Sequence, residues 1–331
     1  MNISLKIKKI NQALKDLSKN SHECQLCPRQ CSVDRNKEVG YCLFGNKASI
    51  SYYGLHFGEE PIISGYTSPK KNKELDSLHP RGSGTIFFTG CHLKCLYCQN
   101  HQISWENLGQ EISTKALSNK MLELQEKGAV NINLVSPTHM LIPILSALKI
   151  AYENGLHIPL VYNSSGYERD TIIQKLDGII DIYLPDLKYF SSSLSKKLSG
   201  ISNYFDHAKK ALLEMSSQQS NLVIDKNKTA RQGLIVRHLV LPGQVNDSLH
   251  ILNWIKKITP RSSALSLMSQ FDPCFKTPPE FQRRITHTEY KRVLDAAEKL
   301  KFEQIYIQPE LFSDDRHLIP DFKLKNPFKW E

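Results

Sequence analysis

The residues Gly90-Cys91-His92-Leu93-Lys94-Cys95-Leu96-Tyr97-Cys98-Gln99-Asn100 follow the apolar run Thr85–Thr89 and contain three cysteines within eight positions. A short apolar run of this kind is typical of a buried β-strand, so the cysteines are expected on the loop that follows a strand. Three thiolates on one loop can hold three corners of a [4Fe–4S] cube. Because no fourth cysteine follows nearby, the spacing predicts a cluster on Cys91, Cys95 and Cys98 with one iron open to an outside ligand.

Structural zinc is the main alternative for clustered cysteines, because zinc also binds thiolates, usually with four ligands in a tetrahedron. Zinc ribbons pair two short Cys-x-x-Cys units. Here three cysteines share one loop, with three and then two residues between them. This spacing favours an iron–sulfur cluster over zinc at the triad.

Short apolar runs alternate with helical patterns along the rest of the chain. The candidate strands are Thr85–Thr89, Asn131–Val135, Pro159–Asn163, Ile179–Leu184, Leu234–Leu241, Ala264–Met268 and Gln304–Gln308. Between them, Leu117, Met121 and Leu124, and then Leu141, Ile144, Leu145 and Leu148, have the spacing of helix faces. This alternation predicts an α/β fold with a parallel sheet, in which ligands collect at the C-terminal ends of the strands.

Several strand ends resemble the radical S-adenosylmethionine (SAM) iron–sulfur proteins that are related to pyruvate formate-lyase activating enzyme. The resemblance rests on residues 82–100, on Ser136-Pro137-Thr138-His139, on residues 163–168, on residues 184–189 and on residues 237–243. It covers most of the chain. It implies a partial (β/α) barrel in which a [4Fe–4S] cluster cleaves SAM reductively, and the deoxyadenosyl radical so formed abstracts a hydrogen atom. It also implies an electron donor such as flavodoxin or ferredoxin, and a protein substrate such as a glycyl-radical-type partner enzyme.

The same resemblance implies cofactor contacts, beginning with Tyr97, the aromatic residue before the last cysteine. Ser136 and Thr138 lie in a turn that matches a Gly-Gly-Glu-Pro-like turn, whose backbone holds the methionine amino group in the family. The acidic residue is missing here, so only the backbone role carries over. On residue types alone, Ser136 suits a helix N-cap before Pro137. Asn163 and Ser165 match a segment near the ribose, although they also suit a plain turn.

Three further polar residues are expected near the cofactor. Asp186 and Lys188 are two positions apart at a strand end, so their side chains point to the same side of the sheet. They suit either a buried ion pair or a contact with cofactor or substrate. His238 matches a family strand that borders the cofactor, although a lone histidine in a strand is more often structural.

A second group of cysteines, Cys24, Cys27, Cys31 and Cys42, lies near the N-terminus. Four thiolates in a short segment predict a bound metal that helps the segment fold, and they suit either zinc or an accessory iron–sulfur cluster. The eighth cysteine, Cys274, is predicted to be an inert small hydrophobe, with a hydrogen-atom donor as the alternative.

The expected organisation is a Cys-rich appendage and connector over residues 1–80, a radical SAM core over residues 81–310 and a tail over residues 311–331. Leu5, Ile7, Ile10, Leu14 and Leu17 predict an N-terminal amphipathic helix, docked on the body with a solvated basic face. The net charge of +10 is spread along the chain, which argues against nucleic acid as a partner. Without a signal peptide or an apolar run long enough for a bilayer, a cytoplasmic protein is expected. A non-catalytic zinc or iron–sulfur scaffold, and a nucleic-acid modifying or binding protein, remain alternatives.

Overall fold

The computed structural model describes residues 2–65, 81–259, 263–308 and 318–328. Residues 66–80, at the end of the expected appendage and connector over residues 1–80, and part of the expected tail at residues 311–331 lie outside these ranges.

Helices and strands alternate along the chain. The helices are α1 (Ile3–Leu17), α2 (Pro61–Ser64), α3 (His101–Ser104), α4 (Thr114–Glu126), α5 (Leu141–Glu153), α6 (Asp170–Ile173), α7 (Ser192–Ser199), α8 (Tyr204–Gln218), α9 (Val245–Ile258) and α10 (His287–Lys299). The strands are β1 (Ala48–His56), β2 (Ser83–Phe88), β3 (Gln110–Ile112), β4 (Ile132–Val135), β5 (Leu160–Ser164), β6 (Ile182–Pro185), β7 (Val223–Ile224), β8 (Ala230–Leu239), β9 (Ala264–Met268) and β10 (Gln304–Ile307). None of these helices has the length and apolar character that a membrane span requires.

The strands form one mixed sheet in the order β10-β9-β8-β6-β5-β4-β2-β1-β3, with β7 paired to β8. The pairs from β2 through β4, β5, β6, β8 and β9 to β10 are all parallel. These are the seven strands predicted from the sequence, so the α/β class and the parallel sheet are confirmed. The sheet is not closed, as expected for a partial barrel, because β10 and β3 lie at its two edges.

The N-terminal part of the chain contributes a strand to this sheet. The sequence did not predict β1, whose residues mix serine, tyrosine, glycine and histidine with few aliphatic side chains. It pairs antiparallel with β2, and Tyr53 lies opposite Ile86. The expected boundary near residue 80 therefore does not coincide with an edge of the sheet, and the division into three parts stays a prediction.

Helix α1 docks on the body as predicted, but its basic face is not wholly solvated. Ile10 and Leu17 are buried in the main core, whereas Leu5 is exposed. Lys6 is buried, and its ammonium lies 2.5 Å from the carboxylate of Asp181. The expectation was wrong for Lys6 because the aliphatic stem packs with the helix while the charge finds a carboxylate on the body.

The two faces of the sheet have different partners. Alternate residues of β5, β6 and β8 pack in the main core with the long helices, as Leu234 and Val236 do. The residues between them form a second core with Ile62 and Ile63 of α2, among them Ile235. Helix α2 therefore covers the face opposite the long helices, and the loop before it brings Glu59 and Glu60 to that face.

Candidate functional site

A cavity of about 430 Å³ opens at the C-terminal ends of the parallel strands. Its wall includes the residues that follow four neighbouring strands, namely the cysteine loop after β2, Ser136 after β4, Ser165 after β5 and Asp186 after β6. The volume lies within the usual range for small-molecule sites. Four segments that are dispersed in the sequence therefore meet at one cavity.

The cysteine loop presents all three of its thiols to this cavity, since Cys91, Cys95 and Cys98 all line the wall. The turn into the loop depends on Gly90, which has a φ of +86°. A Cβ at position 90 would lie 2.6 Å from the carbonyl oxygen of Cys42. Such a contact excludes any larger residue, so glycine is required by both conformation and space. Lys94 also has a left-handed backbone, with a φ of +56°.

Each sulfur of the triad accepts at least one hydrogen bond from the surrounding protein. The hydroxyl of Ser199 donates to the sulfur of Cys95 at 3.3 Å, and that of Ser104 donates to Cys98 at 3.2 Å. The backbone N–H of Leu93 donates to the sulfur of Cys91 at 3.4 Å. The sequence analysis missed both serines, because they lie on helices outside the cysteine motif. Hydrogen bonds to the sulfurs are one of the factors that set the potential of an iron–sulfur cluster.

The protonation of the thiols also fits a metal cluster. Desolvation raises the pKa of Cys98 to about 12, and it raises the pKa of Cys91 as well. Without a metal, such thiols stay protonated at neutral pH. A bound metal cluster would supply the positive charge that favours the thiolate forms of Cys91 and Cys98.

Ser136 and Ser165 line the cavity in different ways. Ser136 has a φ of +56°, and its N–H donates to the carbonyl oxygen of Asn163 at 2.9 Å. Its side chain caps no helix, so the alternative interpretation as an N-cap is wrong. Asn163 also lines the wall. The hydroxyl of Ser165 is buried without a hydrogen-bond partner, so a ligand in the cavity would satisfy it.

Thr138 lies outside the cavity wall. It is fully buried, and its hydroxyl donates to the carboxyl group of Glu168 at 2.7 Å and lies 3.0 Å from the hydroxyl of Tyr162. Desolvation raises the pKa of Glu168 to about 8, although its hydrogen bonds act in the opposite direction. Thr138 therefore belongs to a buried network behind the turn rather than to the cavity surface.

Asp186 and Lys188 both line the cavity, and they also form an ion pair with a nitrogen–oxygen distance of 2.5 Å. Desolvation opposes the charge on Lys188, but the carboxylate of Asp186 outweighs it and holds the pKa of Lys188 above its ordinary value. The two interpretations of this pair are thus compatible. Tyr97 lines the wall beside them and accepts a hydrogen bond from Tyr189 at 2.9 Å.

The structure does not bring His238 into the cavity. Side chains alternate along β8, so His238 shares the helix side with Leu234 and Val236. Its ring nitrogens bond the carbonyl oxygen of Leu187 at 2.7 Å and the hydroxyl of Ser248 at 2.9 Å. Desolvation lowers the pKa of His238 to about 4. The expected cofactor contact is therefore not seen, and the structural alternative fits this residue.

The neighbouring residue Arg237 faces the cavity instead, together with two acidic residues that the sequence analysis missed. Its guanidinium bonds the carboxylates of Glu59 and Glu60, and the side chain of Asn133 donates to Glu59 at 3.0 Å. The three charged side chains are nearly buried. The alternation of apolar residues in β8 could have identified Arg237, but nothing local marks Glu59 and Glu60, which precede a four-residue helix.

The N-terminal cysteines form a group beside the triad. Desolvation raises the pKa of Cys42, and the neighbouring Cys24 and Cys31 raise it further. The carbonyl of Cys42 lies against Gly90, directly before the triad. In the ranges that the structure describes, no set of three or more His, Cys, Asp or Glu side chains has an arrangement that could hold a single metal ion, and this holds for the triad as well as for the N-terminal cysteines. A metal at these four cysteines stays a prediction.

Cys274 has the environment of an inert thiol. Its sulfur lies 3.6 Å from the carbonyl oxygen of Tyr97, outside the cavity wall. Desolvation raises its pKa to about 11. An activated thiol would have a lowered pKa, so the alternative interpretation as a hydrogen-atom donor is not favoured.

Comparison with known proteins gives consistent matches. A family model described as the Radical SAM superfamily matches residues 85–255. An uncharacterised protein of Methanocaldococcus jannaschii is 29% identical over 306 residues, which is 88% of this chain and 78% of that protein. The pyruvate formate-lyase 1-activating enzyme of Escherichia coli K12 is 24% identical over 166 residues, which is 49% of this chain and 62% of that enzyme.

Two crystal structures are also similar. Methylornithine synthase (PylB) has a TM-score of 0.46 and 16% identity, over 66% of this chain and 60% of that chain. Streptococcus suis SuiB bound to precursor peptide SuiA has a TM-score of 0.47 and 12% identity, over 67% of this chain and 47% of that chain.

Proposed function

Because the chain belongs to the radical SAM superfamily, we propose that Cys91, Cys95 and Cys98 hold a [4Fe–4S] cluster at which SAM is cleaved. The observation that carries this proposal is that three thiols of one loop line a single cavity. Among the described residues, no fourth cysteine lines that cavity. Three protein ligands leave one iron for the cofactor, which the cavity can accommodate.

When bound, the cluster and SAM supply the chemistry of the family, in which one electron breaks a carbon–sulfur bond and the deoxyadenosyl radical removes a hydrogen atom from a substrate. The chain itself binds and orients the cluster and SAM and shields them from water. The unpartnered hydroxyl of Ser165 offers a hydrogen bond to the cofactor, and Asn163 adds an amide beside it. Asp186 and Lys188 offer one charge of each sign, which suits a ligand that carries both.

The finer proposal is that the hydrogen donor belongs to a protein partner, such as a glycyl-radical-type enzyme. Its support is the 24% identity to the Escherichia coli activating enzyme, which covers about half of this chain. Among the described residues, the cavity has an opening to the surface through which a loop of a partner could reach the cofactor. Mass spectrometry of candidate partners after turnover, in search of a cleaved or modified backbone, tests this part separately.

We also propose that Cys24, Cys27, Cys31 and Cys42 bind a second metal, as zinc or as an accessory iron–sulfur cluster. The support is their proximity to one another and the burial of three of them. Replacing Cys27 by Ala should lower the metal content and the melting temperature. Unchanged metal content and unchanged melting would show that these cysteines are free thiols.

The cluster assignment is tested by iron and sulfide analysis of the anaerobically reconstituted protein. The triple variant Cys91→Ala/Cys95→Ala/Cys98→Ala should lose the cluster whose spectrum responds to SAM. The matched control is Cys274→Ala, which removes a thiol that lies outside the cavity and should keep that cluster. Full iron content and a full spectral response in the triple variant would refute the assignment.

A further inference from the structure

The outer side of the cysteine loop carries three cations that lie over three aromatic rings. We call Arg29, Lys94 and Lys276 the basic patch. The guanidinium carbon of Arg29 lies 3.9 Å from the centre of the Tyr41 ring. The ammonium of Lys94 lies between two rings, 5.2 Å from the centre of the Tyr41 ring and 5.4 Å from the centre of the Trp105 ring. The ammonium of Lys276 lies 5.0 Å from the ring centre of Trp105 and 5.1 Å from that of Phe275. Cations and rings thus alternate along this part of the loop, with Lys94 buried beneath Tyr41 and Trp105.

This surface touches the backbone that connects the cysteines. The guanidinium of Arg29 donates to the carbonyl oxygen of His92 at 3.0 Å. The indole N–H of Trp105 donates to the carbonyl oxygen of Cys95, also at 3.0 Å. The N–H of Lys276 donates to the carbonyl oxygen of Leu96 at 3.1 Å. None of the patch cations and none of their rings lines the cavity. The basic patch therefore lies outside the cavity that the same loop lines.

The charges of the basic patch have no acidic partners within the described ranges. Two carboxylates that are close in sequence to Trp105 and Lys276 are already paired, because Glu106 bonds His101 and Glu280 bonds Lys197. Lys276 is exposed, and Tyr41 is 41% exposed, so at least part of this surface is open to a partner. An exposed lysine without an acidic partner among the described residues, beside half-exposed aromatic rings, favours a partner with an acidic face.

We propose that the basic patch is the docking surface for an acidic protein that donates one electron to the triad's cluster. This inference rests on the proposed function, because it needs a cluster on the three cysteines. In the step, the donor loses one electron and the cluster gains it, and no proton moves and no bond forms or breaks. Docking here brings the donor within one layer of side chains of Cys95, and it leaves the cavity free for SAM and substrate.

The alternative role of the cations is only to balance the negative charge of the thiolates. Lys94 is the cation best placed for that role, since it is almost buried and interacts with both Cys91 and Cys42. Lys276 is exposed and interacts with neither cysteine, so replacing it affects donor docking and not the charge balance of the thiolates. The test therefore uses Lys276→Glu, with Lys226→Glu as the matched control. Lys226 is an exposed lysine in the turn before β8, at the opposite end of the strands.

The probe is a flavodoxin of net negative charge, and binding to the cluster-loaded protein is titrated at low and at moderate salt. At low salt, Lys276→Glu should bind roughly tenfold more weakly than wild type, while Lys226→Glu should lose less than about twofold. Added salt should weaken the wild type more than Lys276→Glu. Reduction of the cluster by this donor should slow in parallel, whereas reduction by dithionite, a small ion, should proceed at the wild-type rate.

Equal affinity and equal donor-driven reduction in wild type and Lys276→Glu would overturn the proposal. Equal losses in both variants would also overturn it, because they would show a general effect of net charge. Failure of the proposed function has a different signature, since dithionite would then reduce no SAM-responsive cluster in the wild type. Circular dichroism checks that both variants fold.

Discussion

Ser165 and His238 were both expected to contact the cofactor, but their environments in the structure differ, and two substitutions test which of them contacts SAM. In Ser165→Ala, the change removes a buried hydroxyl that has no partner in the protein. Because the substitution removes no hydrogen bond within the protein, the free energy of unfolding should change by less than about 0.5 kcal/mol. The bond to bound SAM should be lost, at about 1 to 2 kcal/mol, so affinity should fall roughly five- to thirtyfold.

His238→Ala should behave in the reverse manner. It removes the bonds to Leu187 and Ser248 and leaves a cavity in the helix layer, so the free energy of unfolding should fall by about 3 kcal/mol. The backbone of Leu187 keeps its bond from its own N–H to the carbonyl oxygen of Arg237 at 2.8 Å. The neighbouring Asp186 and Lys188 should therefore stay in place, and SAM affinity should change by less than about threefold.

The assay pairs denaturant unfolding with titration of SAM into folded, cluster-loaded protein. Ser165→Ala should lower the affinity for SAM and leave the free energy of unfolding nearly unchanged. His238→Ala should lower the free energy of unfolding and leave the affinity nearly unchanged. Normal affinity in Ser165→Ala would refute the role assigned to its hydroxyl. Normal stability with lost affinity in His238→Ala would restore the cofactor contact that the sequence predicted and would refute the alternation argument for β8.

Three further outcomes are expected. Ser199→Ala removes the hydroxyl that donates to the sulfur of Cys95, so the reduction potential of the cluster should fall by up to about 40 mV, the equivalent of about 1 kcal/mol. A redox titration of the intact cluster measures this, and an unchanged potential would argue against that hydrogen bond. The pKa of Glu168 is raised to about 8, so the stability it contributes is complete below about pH 4.5 and is lost as the pH rises to about 8. Glu168→Gln should therefore unfold at higher denaturant than wild type at pH 9 but not at pH 4.5, and identical pH profiles would contradict this. Ser136→Gly should raise the free energy of unfolding by up to about 1 kcal/mol, because it relieves a φ of +56°; a loss of stability would show that the serine side chain matters more than the backbone.

The parallel core was predictable because its signal is local. Each central strand is buried on both faces and reads as a short apolar run, and Ala264–Met268 matches its predicted bounds. The strand at Ala48–His56 was missed because it is half-buried and rich in polar residues. Its place in the sheet depends on pairing with a strand about 30 positions later, which no local pattern records.

The cavity was predictable only in part, for the same reason. The cysteine motif and the strand ends identified Asn163, Ser165 and Asp186, because parallel strands place their C-terminal ends on one side. Which side of the sheet a residue faces is a separate question. The family position of His238 predicted a cofactor contact, whereas the alternation along β8 places its side chain on the helix side with Leu234 and Val236. Glu59 reaches the cavity through the placement of α2, a tertiary packing event with no local marker.

The central claim is that the chain cleaves SAM at the cysteine triad, and product analysis under anaerobic conditions tests it most directly. Reconstituted protein is mixed with dithionite and SAM, and deoxyadenosine and methionine are quantified over time. The account predicts both products from the wild type and from Cys274→Ala, and neither product above background from the triple variant of Cys91, Cys95 and Cys98. Wild-type protein that carries a full cluster yet forms no deoxyadenosine would contradict the account, as would product formation by the triple variant.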